Sequence, residues 1–319
     1  MVNATHYDAA EDANRTIWRE YHTKIPQGYV VIPILLLVLT LVNNTLIVLT
    51  FKRVKTKQFT DIFMAGLAVA DFIMSIPLSV TVVILIRGVI NMSVFLCDFW
   101  ALAFVGGLST TMWLHCAICI EKCVSITRPL EHRLFLQKEY SHRIAYAVIV
   151  VCMFFPDGYL LALLYSGVLT HADFDPHAVF CLYDVNMKFL FTAGNLFLTS
   201  SLIVELVTNS LILRQVLKST IQRKKRILRT IRTVLITLGA YYLCTGPVAV
   251  GMVWRTTADK PPPPGLRFAG CYFLLSNSCV NFFIYLSSMP RFREAFMKMT
   301  GYHPQKATNR IHVLRAQGI

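Results

Sequence analysis

Long apolar runs alternate with short polar segments along most of the chain. A helix needs roughly 20 apolar residues to cross a bilayer core of about 30 Å, and seven runs reach that length. The predicted spans are Tyr29 to Phe51, Phe63 to Ile86, Phe95 to Ile120, Ile144 to Leu164, Phe189 to Leu213, Leu228 to Trp254 and Phe268 to Ser288. The pattern therefore predicts an all-α fold, a bundle of seven transmembrane helices.

A shorter segment after the seventh run has a different pattern. Between residues 290 and 298, charged residues surround Phe292 and Phe296, and Met299 continues the same helical spacing. Such spacing predicts a short amphipathic helix that lies on the membrane surface. The predicted organisation has three parts: an extracellular N-terminal segment (1–27), a seven-transmembrane domain (28–289), and a cytoplasmic amphipathic helix with a tail (290–319).

Composition and charge agree with a multi-pass membrane protein. The chain is 55% hydrophobic and 15% charged, which is too little polar surface for a folded soluble protein of 319 residues. Its net charge of +14 lies between the apolar runs, so nucleic acid is not an expected partner. The first, third and fifth loops carry 4, 5 and 8 Lys or Arg residues, and the alternate loops carry 1, 1 and 3. Since basic loops stay cytoplasmic, we expect an extracellular N-terminus and a place in the plasma membrane.

Sequons and cysteines agree with this orientation. The glycosylation sequons at Asn3, Asn14 and Asn91 all fall on the side assigned to the outside. Cys97 begins the third span and Cys181 follows the fourth, so both face the oxidising compartment and are expected to form a disulfide. The other seven cysteines lie in or beside spans and are interpreted as buried thiols.

A carboxylate lies midway along the second span, where an ionisable group is costly. Asp71 has polar residues at similar depth on three other spans, namely Asn44, Thr111, Asn277 and Asn281. One interpretation is a site for a cation, with sodium as the candidate, or for ordered waters. The other is an interhelical hydrogen-bond network that only holds the helices together.

Three further residues inside spans have several interpretations. Glu205 in the fifth span is compatible with a functional role, with a lipid-facing position, or with snorkelling near the inner boundary. Pro156 and Pro247 are expected to kink their helices because proline removes a backbone donor. Membrane helices tolerate such prolines, so a kink alone indicates no moving part.

The polar residues and their spacing resemble the rhodopsin-like (class A) G-protein-coupled receptors over nearly the whole chain. Asn44 stands where that family has its first-span asparagine, and Leu67-Ala68-Val69-Ala70-Asp71 resembles the second-span motif. Cys97 precedes Lys122 by 25 residues, as the disulfide cysteine precedes the charged end of the third helix in that family. Asn281-Phe282-Phe283-Ile284-Tyr285 resembles the seventh-helix motif.

The chain departs from the family pattern at several positions that take part in the family's activation switch. Glu121-Lys122-Cys123 replaces Asp/Glu-Arg-Tyr, and lysine keeps the charge of arginine without its planar fork. Cys244-Thr245-Gly246-Pro247 lacks the tryptophan of Cys-Trp-x-Pro, and Asn281-Phe282-Phe283-Ile284-Tyr285 lacks the proline of Asn-Pro-x-x-Tyr. Ser201 and Asn209 stand where the fifth helix commonly has proline and tyrosine.

The resemblance implies a receptor, not an enzyme, that passes an extracellular signal to heterotrimeric G proteins. Arrestin and the lipid bilayer are further candidate partners. In that family an outward movement of the sixth helix opens a cytoplasmic cleft, which the basic run from Arg223 to Arg232 would border here; the run also fits a membrane-surface anchor. The residues implied in coupling and switching are Glu121, Lys122, Cys123, Cys244, Thr245, Pro247, Asn281 and Tyr285.

The resemblance narrows the ligand by exclusion. Phe104 stands where amine receptors carry an aspartate, and Leu275 stands where opsins carry the retinal-binding lysine. Neither a biogenic amine nor retinal is therefore expected. An apolar outer cavity, suited to a lipid, to a peptide side chain or to packing alone, is expected to be lined by Phe104, Leu108, Met252, Trp254, Cys271 and Tyr272.

Two other functions fit parts of the sequence. The altered motifs favour an atypical receptor that scavenges ligand or no longer couples. A transporter or channel with Asp71 as its ion-site carboxylate is a weaker alternative, because no paired repeats are visible. Apart from the candidate sodium ion, no cofactor or metal is expected, and no nucleophile and base recur at catalytic spacing.

Overall fold

The computed structural model describes residues 19–22, 27–54, 58–138, 140–167, 169, 171–183, 195–258 and 260–302. In chain order, its helices are α1 (Val31–Arg53), α2 (Phe59–Arg87), α3 (Val94–Thr127), α4 (Pro129–Leu136), α5 (Ser141–Tyr165), α6 (Asn195–Lys218), α7 (Ile221–Ala258), α8 (Pro264–Ser288) and α9 (Pro290–Met299). A 3₁₀ turn at Gln27–Val30 precedes α1. Two antiparallel strand pairs complete the fold, β1 (Arg19–His22) with β2 (Val89–Met92), and β3 (Ala172–Asp175) with β4 (Phe180–Tyr183).

The predicted seven-helix bundle is confirmed. Within the described residues, α1, α2, α3, α5, α8 and the Leu235–Arg255 part of α7 are long and apolar enough to cross a membrane. The remaining span is α6, whose 24 residues give a length of about 36 Å at 1.5 Å per residue. Following the loop charges, we call the end with the strand pairs the outer end and the opposite end the cytoplasmic end.

Several helices extend beyond the predicted spans, because hydropathy marks only the part of a helix that lies in hydrocarbon. The start of α2 moves to Phe59, where Gln58 and Asp61 form a reciprocal capping box. The start of α7 moves to Ile221, two residues before the basic run. The short helix α4 was not predicted; it follows α3 directly and begins with Pro129, whose fixed backbone angle suits a first helical turn.

The third span lies at the centre of the bundle. It contacts α2, α5, α6 and α7 along its length, and both strands of the β3–β4 hairpin at its outer end. Buried side chains form one large cluster toward the outer end and a second toward the cytoplasmic end. By contrast, α5 exposes most of its apolar side chains, including Val150 and Phe154, which in a bilayer face lipid.

Candidate functional site

The predicted disulfide joins the outer end of α3 to the loop that follows α5. Cys97 and Cys181 are bonded, with their Cα atoms 5.3 Å apart, which is within the usual range for a disulfide. Because Cys181 lies in β4, the bond holds the whole β3–β4 hairpin against the bundle. The pairing expected from the sequence is therefore confirmed.

The hairpin does more than cover the bundle, because one of its side chains fills the outer cavity. Phe180 is fully buried, and its ring centroid lies 5.4 Å from that of Trp100, 4.9 Å from Phe104 and 6.1 Å from Tyr272. Residues 178–181 are all fully buried, and we call them the plug. Two of the predicted pocket residues, Phe104 and Tyr272, thus contact the chain's own loop.

The other predicted pocket residues have different surroundings. Cys271 is buried in the same outer cluster, and Leu108 packs against it while partly exposed. The side chain of Met252 lies outside the described residues. Trp254 is 44% exposed and does not belong to the cluster, so its expected place in the cavity wall stays a prediction.

Polar contacts from two helices, α2 and α8, fix the plug and its hairpin. The Tyr272 hydroxyl donates to the carbonyl of Ala178 at 3.3 Å, and the Thr81 hydroxyl donates to the carbonyl of Val179 at 3.1 Å. Arg267 at the start of α8 pairs with Asp175 of β3 at 2.7 Å.

The backbone of the plug is strained at one residue. Val179 has a φ of 57°, in a region that β-branched residues avoid. Such strain costs about 1 to 3 kcal/mol and persists only where the surroundings enforce it. The carbonyl bonds on both sides of this residue supply that enforcement.

Asp71 lies in a buried polar centre between α2 and α8. Its side chain is almost fully buried, Ser278 donates to Oδ1 at 2.6 Å, and Asn281 donates to Oδ2 at 3.1 Å. Asn44 does not contact the carboxylate in this way; its amide donates to the carbonyls of Thr40 at 2.9 Å and Ser278 at 3.1 Å. Asn44 therefore holds α8 in place behind Asp71.

The remaining predicted members of the polar centre differ from one another. The Thr111 hydroxyl donates to the carbonyl of Gly107 in its own helix at 3.1 Å, which satisfies it without Asp71. Asn277 is buried, and within the described residues the side-chain oxygens of Asn44, Asn277 and Asn281 accept no hydrogen bond. Buried amide oxygens are rarely left in this state. Buried oxygens of this kind suit a hard cation or ordered water.

At the cytoplasmic end of α3, Glu121 connects three helices. Its carboxylate accepts a 2.5 Å hydrogen bond from Thr60 of α2, and it lies 3.1 Å from the ammonium of Lys122 and 3.2 Å from Nε2 of His132 in α4. We call these four residues the Glu121 cluster. Both Glu121 and Lys122 are buried, so the charges lie where water screens them little. The sequence indicated Glu121 and Lys122 but neither Thr60 nor His132.

The third residue of that motif has an apolar role. Cys123 belongs to a small buried cluster with Ile126 of α3, Ile212 and Val216 of α6, and Ile231 of α7. These side chains close the cytoplasmic end between α3, α6 and α7.

The three predicted switch residues of α7 differ in the contacts that they make. The Cys244 thiol lies 3.5 Å from the hydroxyl of Ser276 and so connects α7 to α8. The Thr245 hydroxyl donates to the carbonyl of Tyr242 in its own helix, and Pro247 lies inside α7.

Tyr285 is fully buried, with its ring 6.1 Å from Phe51 and 5.9 Å from Phe292. Phe282, at the position of the missing proline, packs against the surface helix, 6.0 Å from Phe292 and 5.3 Å from Phe296. These rings connect α1, α8 and α9 at the cytoplasmic end.

Glu205 is neither lipid-facing nor snorkelling. It is 5% exposed, accepts a hydrogen bond from the Tyr242 hydroxyl of α7, and lies 3.9 Å from the Cys116 thiol of α3. Of the three interpretations that the sequence left open, the lipid-facing and snorkelling ones are therefore wrong; the partners lie on other helices, which the sequence of α6 does not indicate.

The remaining predicted residues are mostly peripheral. Asn91 lies in β2 and is exposed, as a glycosylation acceptor must be, whereas Asn3 and Asn14 lie outside the described residues. Of the basic run at the start of α7, the Arg232 side chain is described, and it donates to the carbonyl of Ser287 at 3.2 Å. Arg291 of α9 donates to Gln58 at 2.6 Å and so connects the surface helix to α2.

Comparison with known protein families gives a match over most of the bundle. A family model for the 7 transmembrane receptor (rhodopsin family) matches residues 42–285. The matched region extends from α1 to the end of α8, and it includes Asp71, the Cys97 to Cys181 disulfide, the Glu121 cluster and Tyr285. Since the match covers well over half of the chain, this protein belongs to the 7 transmembrane receptor (rhodopsin family).

Proposed function

We propose that this receptor acts at the plasma membrane, with its N-terminus outside, and passes an extracellular signal to heterotrimeric G proteins at the cytoplasmic end of α3. The Glu121 cluster is the observation that carries this proposal. Lys122 is buried beside Glu121 at 3.1 Å, at the motif position where the family carries its charged residue. Membership of the family supports the receptor part of the proposal.

The mechanism is a shift between a closed and an open bundle. In the closed state the small apolar cluster around Cys123 packs α6 and α7 against α3. The Glu121 cluster holds α2 and α4 against the same end of α3. A movement of α7 away from α3 separates Ile231 from Cys123 and opens a cleft beside Lys122. A G protein that binds the open shape more tightly than the closed one shifts the equilibrium toward the open shape. The size of the shift is set by the difference between its two affinities.

The first test replaces the charged residue of the cleft. Lys122→Ala is expected to lower G-protein activation at least about tenfold, because the open cleft loses the ammonium that would face the bound G protein, and this loss outweighs that of the closed-state contact with Glu121; a loss of about 1.4 kcal/mol in binding is already tenfold. Activation is measured in cells with a sensor for each G-protein class. The matched control is Lys138→Ala, just after α4, where the ammonium lies over the Tyr140 ring. If neither the wild type nor Lys122→Ala activates a G protein of any class, the proposal that this receptor couples is wrong.

We also propose that the ligand is neither a biogenic amine nor retinal, and that it acts through the plug. A ligand that reaches Phe104 or Tyr272 must first displace Phe180, whose ring occupies the space between them. A ligand that stays outside must act on the β3–β4 hairpin, which is attached to α3 and α8. An apolar or aromatic group matches the cavity that Phe180 itself fills.

We propose sodium as the occupant of the polar centre, held by Asp71 with the amide oxygens of Asn277 and Asn281. Sodium at a hundred times its Kd stabilises a receptor by about 2.7 kcal/mol. The melting temperature of the wild type is therefore expected to rise when choline chloride is replaced by sodium chloride, and Asp71→Asn is expected to remove this rise. Asp157→Asn, which changes a carboxylate on α5, is the control. An equal sodium effect in all three proteins would contradict the proposal.

A second candidate function is an atypical receptor that does not couple, and the position of Phe282 favours it. Its ring packs between Phe292 and Phe296 and fixes α9 against α8, where proline would remove a backbone donor and loosen the helix. The double variant Lys122→Arg with Phe282→Pro discriminates between the two. Output that arises only in the double variant identifies the natural chain as a non-coupling receptor.

A further inference from the structure

A second buried polar set lies inside the bundle, between α3, α6 and α7. Glu205 of α6 is almost fully buried; its Oε2 accepts a hydrogen bond from the Tyr242 hydroxyl of α7, and its Oε1 lies 3.9 Å from the Cys116 thiol of α3. Because Glu205 is the eleventh residue of α6, it lies about 15 Å from the outer end of this helix and about 20 Å from its cytoplasmic end. The carboxyl group is therefore at a depth where a bilayer contains hydrocarbon.

The groups around Glu205 carry no compensating charge. Its titratable neighbours are two thiols of α3 and two phenols of α7, namely Cys116, Cys119, Tyr241 and Tyr242. Thiols and phenols are ordinarily neutral at physiological pH. In the described part of the chain, no lysine, arginine or histidine pairs with this carboxyl group. An ionised carboxylate that is buried without a cation is so costly that it takes up a proton instead.

Tyr242 lies where a movement of α7 breaks its hydrogen bond to Glu205. It is on the cytoplasmic side of Pro247, where α7 is expected to bend because proline removes a backbone donor. Pro247 is sixteen residues from Ile231, which leaves α3 when the cleft opens, but only five residues from Tyr242. The phenol therefore moves about a third as far as Ile231. A displacement of about 3 Å at Ile231 moves the phenol by about 1 Å, which is enough to break a hydrogen bond.

The apolar cluster around Cys123 separates Glu205 from the cytoplasm in the closed state. Ile212 and Val216 of this cluster lie about two and three turns of α6 beyond Glu205. When Ile231 leaves the cluster, water enters between α6 and α7 from the cytoplasmic end. A carboxyl group that water reaches is stable in its ionised form, whereas a dry one is not. Opening of the cleft therefore changes which form of Glu205 is favoured.

We propose that Glu205 is a proton-binding site of this receptor: its neutral carboxyl group holds α6 to α7 through Tyr242 in the closed state, and it releases the proton when α7 moves away. Water in the open cleft takes the proton, and both electrons of the broken O–H bond stay on the carboxylate. Because the closed state holds the proton more tightly, it loses stability as the pH rises. The inference rests on the closed and open states of the proposed function, and it adds the proton as a signal that shifts them.

The first experiment measures whether Glu205 is neutral in the closed state. Infrared spectra are recorded for the full-length receptor in nanodiscs, since a neutral carboxyl group has a C=O band that a carboxylate lacks. We expect Glu205→Gln to lose one such band relative to the wild type. The matched control is Glu131→Gln, which should lose none, because the exposed carboxylate of Glu131 pairs with Arg128. If Glu205→Gln and the wild type have the same neutral-carboxyl absorption, the proposal is wrong.

The second experiment measures the closed and open states without a G protein, so its result is separate from that of the coupling test. Nitroxide labels on noncanonical residues at His142 of α5 and Leu228 of α7, both exposed, report the distance between the two helices by double electron–electron resonance. The population at the longer distance is expected to rise several-fold from about pH 6 to about pH 8. Glu205→Gln, which keeps an acceptor for Tyr242 but does not ionise, should remove most of this rise. No rise in the wild type, or an equal rise in both proteins, would overturn the proposal.

The same distance measurement tests the hydrogen bond between Glu205 and Tyr242. Tyr242→Phe removes the donor and is expected to raise the open population several-fold at acidic pH. The matched control is Tyr241→Phe, because the Tyr241 ring packs 5.4 Å from that of His115, whereas the hydrogen bond to Glu205 comes from Tyr242. Glu205→Leu combined with Tyr242→Phe should open the receptor no further than Glu205→Leu alone, since both changes remove one contact. Additive opening by the two changes would contradict the proposal.

Discussion

Phe180→Ala is expected to open the outer cavity and to make the Cys271 thiol accessible to water. Removing a buried phenylalanine side chain costs about 3 to 5 kcal/mol, since both its burial and its packing are lost. The Cys97 to Cys181 bond still holds the hairpin, so the loss appears as local opening, while the helix bundle stays folded. An opening equilibrium that shifts by about 3 kcal/mol raises the rate of thiol labelling roughly a hundredfold.

The labelling is measured on Cys271 because this free thiol is buried in the same cluster as Phe180. A membrane-impermeant thiol reagent is added to the receptor, and the Cys271 peptide is quantified by mass spectrometry over time. Phe273→Ala is the matched control, because that ring is beside Tyr272 in the chain but is 51% exposed. A Cys271 labelling rate that is the same in Phe180→Ala, in the control and in the wild type would show that the plug does not close the cavity.

The plug was not predicted from the sequence. Helix periodicity indicates which side chains of a span face inward, but a loop has no such period, so Phe180 gave no signal by itself. The available signal was local: Ala178, Val179 and Phe180 form an apolar run directly beside Cys181. A disulfide that fixes an apolar run near the mouth of a bundle brings that run close to the cavity.

The sequence predicted where the polar centre lies, but only some of the residues that form it. Asp71 and Asn281 were correctly paired by depth, since both lie midway along their helices. Ser278 was missed, although it precedes Asn281 by three residues and therefore lies on the same face of α8. Thr111 was included on depth alone, but its hydroxyl bonds within its own helix. Depth can be read from hydropathy, whereas the choice between two available acceptors depends on side-chain rotation.

The spans and the disulfide were predictable for a simpler reason. The thickness of the bilayer sets the length of every span, and the oxidising side of the membrane determines which cysteines pair. The ends of α2 and α7 depend instead on capping and on polar side chains in water, where hydropathy carries no information. The same holds for α4, whose His132 completes the Glu121 cluster.

Glu121→Gln is expected to lower the melting temperature and, in a receptor that couples, to raise the basal output. The substitution keeps the shape of the side chain and removes its charge, which leaves the buried ammonium of Lys122 without its 3.1 Å partner. Breaking a buried pair costs about 3 to 5 kcal/mol. The amide oxygen can still accept from Thr60, but the closed state loses the charge that faces Lys122 and His132, so the equilibrium moves toward the open cleft.

The matched control is Glu131→Gln in α4, because Glu131 pairs with Arg128 at 3.3 Å while both side chains are about 70% exposed. Exposed pairs contribute about 0 to 1 kcal/mol, so this variant should resemble the wild type in both measurements. A lower melting temperature with no output in any G-protein class would favour the non-coupling receptor. If Glu121→Gln and Glu131→Gln have the same melting temperature and the same basal output, the Glu121 cluster does not hold the cytoplasmic end closed. A buried pair that stabilised the closed state would make its variant differ from that of an exposed pair.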